Sequence, residues 1–240
     1  MNKKLYNFYA NDKLAFFSDH VKIRNNKRGK ITNIEMPQWK TEFLLSDHIL
    51  IRKIRDAGVS ELIAADMVYN LNFKSNFNMI YMTTNGAMAN LHEERISRHF
   101  NNIPGNIRTQ LKSPLIKNKY STVVNNNNII FSGPSEIIGR GWSFGAVYID
   151  EADSMNSFEN IFASLLPAIQ YNNGKIAISS TPTSGNSYFE KLWKDRTNLF
   201  DRVELSHNSN STLPKFVKKK SLNDITKTAY SKIIRDCVIK

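Results

Sequence analysis

Two adjacent carboxylates, Asp150 and Glu151, come directly after an apolar run that begins at Ala146. Such a run is typical of a buried parallel strand, and open α/β sheets bind ligands at the carboxyl ends of their strands. Hydrolysis of a nucleoside triphosphate needs one acid to hold Mg²⁺ and another to orient or activate the attacking water. Asp150 and Glu151 could divide these roles. The alternative is an acid pair that caps a helix or faces solvent after a core strand.

A second candidate is the turn from Lys53 to Ser60, which a predicted strand enters and a predicted helix leaves. Turns of this kind direct backbone N–H groups and a helix N-terminus at phosphate. The standard loop, G-x-x-x-x-G-K-[ST], has its lysine where this chain has Val59, and Lys53 stands in place of its first glycine. We expect Gly58 to allow close backbone approach, Ser60 to contact Mg²⁺ and Lys53 to supply the ammonium. Taken alone, the segment also fits an ordinary strand–turn–helix.

Three further segments could contribute to the same site, and each also has an ordinary structural interpretation. Small hydroxyl residues that could sense a γ-phosphate end another apolar strand: Ser179, Ser180 and Thr181. Arg140, in a glycine-flanked loop, could stabilise transition-state charge, or could be a surface arginine. Gln38 could recognise an adenine edge, or could simply begin a helix.

Length and composition limit the classes of protein that are possible. A chain of 240 residues, 41% hydrophobic, is expected to form one large domain or a domain with a small appendage. The single cysteine, Cys237, excludes an intramolecular disulfide and offers no zinc site, and the five histidines show no metal-ligand spacing. No apolar run approaches eighteen residues and no secretory signal is visible, so we expect no membrane association.

The net charge of +12 is concentrated at the two ends of the chain. Residues 1–30 and residues 214–240 each hold eight Lys/Arg against two Asp, whereas the residues between them are neutral overall. Two basic flanks on a neutral core suit a polyanionic partner such as DNA, because phosphate contacts release counterions. A solvated, lysine-rich surface is the alternative.

Strands that alternate with helices predict an α/β fold with a mostly parallel sheet. Strands are predicted at residues 49–54, 78–83, 146–150, 175–180 and 202–205, and helices at residues 36–45, 60–70, 86–100, 157–166 and 187–195. Residues 121–124 and 129–132 predict a hairpin around four asparagines. Residues 1–35 are expected to form an arm anchored by Phe16 and Phe17, and the polar stretch after residue 205 resembles a linker.

In their order along the chain, these segments resemble the ATPase domain of the large terminase subunit of tailed bacteriophages, the motor that packages DNA. Its variant phosphate loop, K-x-R-Q-x-G-x-S, matches residues 53–60, with Asp56 in place of the glutamine. Its R-G-x-S loop matches residues 140–143, its Walker B strand ending in D-E-A matches residues 150–152, and its coupling segment corresponds to residues 180–189. The likeness spans roughly residues 16–205.

The resemblance implies a P-loop NTPase fold of the ASCE type, with a β-hairpin insertion and a small C-terminal lid or linker. The implied division is an N-terminal arm (1–35), an ATPase core (36–205) and the lid or linker (206–240). The implied cofactors are ATP and Mg²⁺, with Mg²⁺ held partly through water. The residues implied to bind nucleotide are Gln38, Lys53, Arg55, Asp56, Ala57, Gly58, Val59 and Ser60. Those implied to hold Mg²⁺ are Ser60 and Asp150, the catalytic ones Glu151, Arg140 and Arg55, and the coupling ones Ser179, Ser180 and Thr181.

The activity implied is ATP hydrolysis coupled to translocation of double-stranded DNA into a procapsid. The partners implied are the portal protein and the small terminase subunit, in a homo-oligomeric ring that would be a monomer in isolation. We expect the host cytoplasm, with transient docking on the procapsid. The length leaves no room for the usual RNase H-like nuclease domain, as in an excised domain or a split gene. A helicase-like DNA-dependent ATPase and a catalytically silent nucleotide- or DNA-binding scaffold are the alternatives.

Overall fold

Apolar strands alternating with helices build a nine-stranded sheet in the computed structural model of the chain. The structure describes residues 3–24, 31–108, 116–117, 121–124, 126–183, 186–208 and 211–219. The helices of this part of the chain are α1 (Lys3–Asn11), α2 (Lys13–His20), α3 (Gln38–Leu45), α4 (Val59–Phe73), α5 (Gly86–Asn101), α6 (Gly105–Arg108), α7 (Phe158–Gln170) and α8 (Tyr188–Lys194). None of them is long and apolar enough to cross a membrane.

Six adjacent parallel strands form the centre of the sheet. The strands, in chain order, are β1 (Lys22–Arg24), β2 (Ile31–Asn33), β3 (His48–Arg52), β4 (Asn78–Met82), β5 (Ile116–Lys117), β6 (Ser121–Val124), β7 (Asn127–Ser132), β8 (Ala146–Asp150), β9 (Lys175–Ser180), β10 (Asp201–Asn208) and β11 (Ser211–Lys219). Their order in the large sheet is β11-β10-β3-β9-β8-β4-β7-β6-β5, and β1 pairs with β2 separately. The run from β10 to β7 is parallel throughout, which confirms the predicted α/β fold.

Helices cover both faces of this sheet. Successive residues of a strand point to opposite faces, so each central strand contributes to two cores. On β3, Ile49 and Ile51 join a core formed with α4 and α5, whereas Leu50 joins a second core formed with α7 and α8. A strand that is buried on both faces needs the continuous apolar sequence that marked β3, β8 and β9 as core strands. The sheet is therefore a rigid frame, and its carboxyl edge positions the loops that follow these strands.

The N-terminal arm packs against the core, as its two phenylalanines predicted. Phe16 and Phe17 of α2 are buried in the core that contains α4. A buried ion pair also holds the arm, since Nζ of Lys13 lies 2.5 Å from Oδ1 of the fully buried Asp66 on α4. The arm thus supplies the cation that Asp66 requires.

One expectation about the sheet margins is confirmed and another is wrong. The predicted hairpin is present, since β6 pairs with β7 in antiparallel register, and β7 also pairs in parallel with β4 and so extends the main sheet. The polar stretch after residue 205 does not form a linker in its described parts: β10 continues to Asn208, and β11 (Ser211–Lys219) pairs with it in antiparallel register. Residues 220–240, the rest of the expected lid or linker, lie outside the described residues.

Candidate active site

The carboxyl edge of three adjacent strands brings the predicted site segments together. In the register of the sheet, Arg52 of β3 lies opposite Ser180 of β9, and Asp150 of β8 lies opposite Ser179. Lys53 follows Arg52 directly, and its N–H donates to the carbonyl of Ser180 at 2.8 Å. The phosphate turn, the acid pair and the coupling residues therefore lie at one level of the same edge.

The phosphate turn has the backbone shape that its sequence requires. Gly58 is the N-cap of the 15-residue helix α4, with φ of +80°, a conformation that favours glycine. A Cβ added at Gly58 would meet no atom within 4 Å, so the backbone is open on that side. Asp56 also has a positive φ, of +59°. The free N–H groups and the positive end of the helix dipole suit a phosphate at this turn.

Val59, at the usual position of the loop lysine, is a core residue here. It is buried beside Ala57 in the core on the α4 side of the sheet. A lysine at position 59 could reach a phosphate only if its side chain left the core. Any cation for the turn must therefore come from elsewhere, which is consistent with the predicted substitution by Lys53.

Lys53 bridges the two carboxylates that follow β8. Its Nζ lies 2.7 Å from Oε1 of Glu151 and 2.9 Å from Oδ1 of Asp150. Burial by itself lowers the pKa of Lys53, but the charges of both carboxylates outweigh it and raise that pKa above its ordinary value. Lys53 is therefore a cation at neutral pH, directed at the acid pair.

Asp150 is buried and surrounded by hydrogen-bond donors. Ser60 and Ser179 each donate a hydroxyl to its carboxylate at 2.6 Å, and the hydroxyl of Tyr81 lies 3.3 Å away. Burial raises the pKa of Asp150, but Lys53 and the hydroxyls of Ser179 and Ser60 outweigh it, so the net pKa is lowered. Asp150 is held as an anion beside the first turn of α4.

The donor set around Asp150 fits Mg²⁺ in the manner of a nucleotide site. The hydroxyl of Ser60 and a carboxylate oxygen of Asp150 are adjacent at 2.6 Å, and both are oxygen ligands. Within the described residues no three His, Cys, Asp or Glu side chains cluster as a metal cage. Mg²⁺ in nucleotide sites is bound by one or two protein oxygens plus phosphate and water, so this sparse set suits it.

Glu151 occupies a strained backbone position. Its φ of +60° and ψ of +40° lie in the left-handed region, which costs a residue with a side chain about 1–2 kcal/mol. Its carboxylate is held at both oxygens, by Lys53 at Oε1 and by the N–H of Thr181 at Oε2, 3.3 Å away. Such strain persists only where surrounding contacts over-determine it, and functional turns often show it.

The coupling residues contact the acid turn individually. Ser179 donates to Asp150, and Ser180 accepts a hydrogen bond from the N–H of Asp153 at 2.9 Å. The hydroxyl of Thr181 is buried and has no hydrogen-bond partner among the residues that the structure describes. A buried hydroxyl without a partner is uncommon, and its position beside Glu151 suits a hydrogen bond to a ligand.

Four other predicted site residues lie outside this cluster. Arg55, Asp56, Arg140 and Gln38 are all exposed, and no hydrogen bond or ion pair joins their side chains to Lys53, Asp150 or Glu151. The amide of Gln38 donates to Glu42 on its own helix at 3.0 Å. Close packing of Gly139 on the backbone of Ser164 in α7 positions the loop of Arg140.

The structure adds two residues that the sequence did not indicate. Tyr81 of β4 reaches Asp150, and the ring of His92 on α5 stacks on it with centroids 3.5 Å apart. Burial, with Arg95, lowers the pKa of His92 to about 3, so this histidine is neutral at pH 7. No local motif surrounds either residue, and only the pairing of β4 with β8 could have revealed them.

Comparison of whole sequences finds no similar protein, whereas comparison of structures finds several. No protein-family model matches the chain, and no curated protein does. The ATPase domain of the large terminase of Thermus phage P74-26 superposes with a TM-score of 0.51 at 15% identity, covering 66% of this chain and 69% of that one. The HK97 bacteriophage large terminase superposes with a TM-score of 0.58 at 13% identity, covering 77% of this chain and 40% of that one.

The large terminase of a thermophilic bacteriophage gives a TM-score of 0.59 at 11% identity, covering 84% of this chain and 50% of that one. That terminase has also been solved in complex with ADP and with ATP-gamma-S. This chain thus spans half or less of the two large terminases that extend beyond an ATPase domain. At these identities the likeness concerns the fold alone, an α/β fold with a parallel sheet that this chain shares with these phage large terminases.

Proposed function

We propose that this chain hydrolyses ATP as the motor ATPase of a DNA-packaging terminase from a tailed bacteriophage. The observation that carries the proposal is the convergence of Lys53, Ser60, Asp150 and Glu151 at one carboxyl edge, with contacts of 2.6–2.9 Å. An anion-binding turn, a site for a divalent cation and a candidate base are the parts that triphosphate hydrolysis requires. The shared fold of phage terminase ATPase domains supports the choice among P-loop enzymes.

Each residue has a role that follows from its contacts. The amides of the turn and Lys53 would hold the β- and γ-phosphates, and Ser60 and Asp150 would hold Mg²⁺. Bound there, Mg²⁺ would neutralise charge on the phosphate oxygens. Oxygens of a γ-phosphate compete with Glu151 for the ammonium of Lys53. As that contact weakens, the carboxylate of Glu151 becomes free to accept a proton from the attacking water.

The coupling segment responds to the same event. Ser179 contacts Asp150, and Thr181 contacts Glu151, so a change in either carboxylate alters a hydrogen bond to β9 or to the loop after it. The hydroxyl of Thr181 is available to a γ-phosphate and loses that partner after hydrolysis. We assign the charge-stabilising role to one of two exposed arginines, Arg55 or Arg140, which would act within its own subunit or on a neighbour in a ring.

The remaining parts of the proposal concern the assembly. Double-stranded DNA, the portal protein and the small terminase subunit are the proposed partners, in the host cytoplasm and transiently on a procapsid. The basic flanks of the sequence suit DNA, whose binding would then weaken steeply as salt rises. The enzyme would require Mg²⁺ and act as a homo-oligomeric ring, and no nuclease activity is proposed for this chain.

ATP hydrolysis measured with and without double-stranded DNA, at protein concentrations that allow assembly, tests the proposal. We expect Mg²⁺-dependent hydrolysis that double-stranded DNA stimulates. Stimulation by single-stranded DNA alone would favour a helicase-like ATPase. Nucleotide binding with no hydrolysis under any of these conditions would instead identify a silent scaffold, the alternative that Val59 in the lysine position suggested.

A further inference from the structure

Asp153 lies in a short 3-10 turn, residues Ala152–Ser154, two residues after Glu151. Its carboxylate accepts a hydrogen bond from the N–H of Thr183 at 2.5 Å, and it also accepts from the hydroxyls of Thr183 and Ser187. Its own N–H donates to the hydroxyl of Ser180 at 2.9 Å. One side chain and its amide therefore contact β9 and both described ends of the loop between β9 and α8.

These contacts run beside those of Glu151. The N–H of Thr181 donates to Glu151, and the N–H of Thr183 donates to Asp153. Two amides, two residues apart in the segment after β9, therefore bind two carboxylates that are also two residues apart in the acid turn. Ala152 between the two acids is buried in the core on the α7 side of the sheet. The acid turn and residues 181–183 of the loop therefore form one hydrogen-bonded unit.

The left-handed backbone of Glu151 requires such a unit. A residue with a side chain leaves this conformation unless neighbouring contacts fix it. The hydrogen bonds of Asp153 hold the C-terminal side of the turn, and β8 holds its N-terminal side. Loss of the Asp153 carboxylate would remove its hydrogen bonds to Thr183 and Ser187 and would leave the N–H of Asp153, bonded to Ser180, as the contact of this residue with β9.

The same carboxylate also reaches α8 and, through it, the phosphate turn. Ser187, which donates to Asp153, is the N-cap of α8 and accepts the N–H of Glu190 at 3.1 Å. The buried carboxylate of Glu190 lies 3.3 Å from a guanidinium nitrogen of Arg52, the residue before Lys53. These contacts therefore connect the acid turn, through α8, to Arg52 at the end of β3, directly before Lys53.

We propose that Asp153 is a positioning residue that sets the orientation of Glu151 and fastens the loop after β9, with α8, to the acid turn. The inference rests on the proposed ATP hydrolysis, in which Glu151 acts on water. Asp153 itself contacts neither nucleotide nor water in this role. Its contribution is to keep Glu151, the base in a strained conformation, in place. It also couples any movement of the acid turn to α8.

The variant Asp153→Asn tests the inference, because it preserves shape but removes the charge and one acceptor. We expect kcat for ATP to fall by about 10- to 100-fold, as misplacement of a catalytic group does. The KM for ATP and the affinity for ATP-gamma-S should stay within about threefold, since Lys53 and Ser60 are untouched. Glu159→Gln, an exposed acid in the first turn of α7, is the matched control and should leave kcat unchanged.

A second measurement does not depend on hydrolysis. Hydrogen exchange followed by NMR should show protected amides at Thr181 and Thr183 in the parent chain and faster exchange of both in Asp153→Asn. Unchanged kcat in a hydrolysing enzyme, or unchanged exchange at both amides, would overturn the inference. A parallel loss of kcat, ATP affinity and melting temperature would also overturn it, as general destabilisation. A parent chain without hydrolysis but with the expected exchange difference would refute the proposed function alone.

Discussion

Removing the ammonium of Lys53 should destabilise the folded chain in a way that depends on pH. The variant Lys53→Met keeps most of the side-chain volume and deletes the charge between Asp150 and Glu151. Asp150 is 3% exposed, and it would lose the cation 2.9 Å from its carboxylate. Breaking a buried ion pair by removing one partner costs about 3–5 kcal/mol.

The contacts that remain in Lys53→Met put its expected loss of stability at or below the lower end of that range. Three hydroxyls, those of Ser60, Ser179 and Tyr81, remain within 3.3 Å of Asp150, and about a third of the Glu151 side chain reaches solvent. We therefore expect a loss of about 2–3 kcal/mol at pH 7. In a domain of this size, 1 kcal/mol shifts the melting temperature by about 2–4 °C, so Tm should fall by about 4–12 °C.

The sign of the pH dependence follows from the pKa of Asp150. In the parent chain this pKa is lowered, so its contribution to stability is present above the unfolded value, near 3.9, and is lost as the pH falls through the folded pKa. Without Lys53 burial raises that pKa, and protonation relieves the cost. The difference in Tm between Lys53→Met and the parent chain should therefore shrink as the pH is lowered from 7 toward 4.

Thermal unfolding of the full chain at several pH values makes this measurement, with Lys191→Ala, an exposed lysine of α8, as the control. The control should melt within about a degree of the parent chain, because surface substitutions change stability little. Equal melting temperatures for Lys53→Met and the parent chain at pH 7 would refute the placement of Lys53 between the two acids. A Tm difference that grows as the pH falls would refute the assigned pKa direction.

Two further substitutions test contacts outside the acid pair. Burial raises the pKa of Glu61, but hydrogen bonds from His99 and Arg98, together with the charges of both, outweigh it and lower that pKa to about 2. Glu61→Gln should therefore lower the free energy of unfolding at pH 7 by about 1–2 kcal/mol, a value discounted for the partial exposure of Glu61. Urea unfolding should show this deficit vanishing between pH 4.5 and 2, and a constant deficit would contradict it. Lys13→Met should lower the free energy of unfolding by about 2–4 kcal/mol, because Asp66 is fully buried and would keep Lys175, 3.4 Å away, and the hydroxyl of Tyr148, 2.9 Å away, but not its nearer cation. Unchanged urea stability there would mean that the arm does not neutralise Asp66.

The strands that carry the site were predictable because their chemistry is local. A strand buried on both faces must be apolar at every position, and the runs before Lys53, Asp150 and Ser179 meet that condition. Parallel strands align their carboxyl ends, so the segments after them were expected to converge. Nζ of Lys53 lies 2.9 Å from Asp150 and 2.7 Å from Glu151, and the roles of these three residues stay predictions.

The contacts that were missed depend on partners distant in sequence. Asp66 is paired with Lys13 and Lys175, and no spacing along the chain indicates that these three residues share one buried site. The same is true of Tyr81 and Asp150, which meet because β4 lies beside β8. Strand order is set by tertiary packing, and a pattern within one segment carries no information about it.

The role of Asp153 was hidden for another reason. The acids at 150 and 151 accounted for both chemical roles, so a third acid in the same turn carried no separate signal. Its partners, Thr183 and Ser187, are small hydroxyl residues of a kind common in any loop. The direction of their hydrogen bonds becomes visible only when the turn after β8 faces the loop after β9.

The most direct test of the account is ATP hydrolysis and nucleotide binding measured together for the parent chain and for Glu151→Gln. The amide keeps the size of the side chain but cannot accept a proton from water, so kcat should fall by at least about 100-fold. Affinity for ATP-gamma-S should stay within a few-fold of the parent value, because Lys53 and Ser60 remain in place. Hydrolysis at the parent rate in Glu151→Gln would contradict the assignment of this acid as the base at the site.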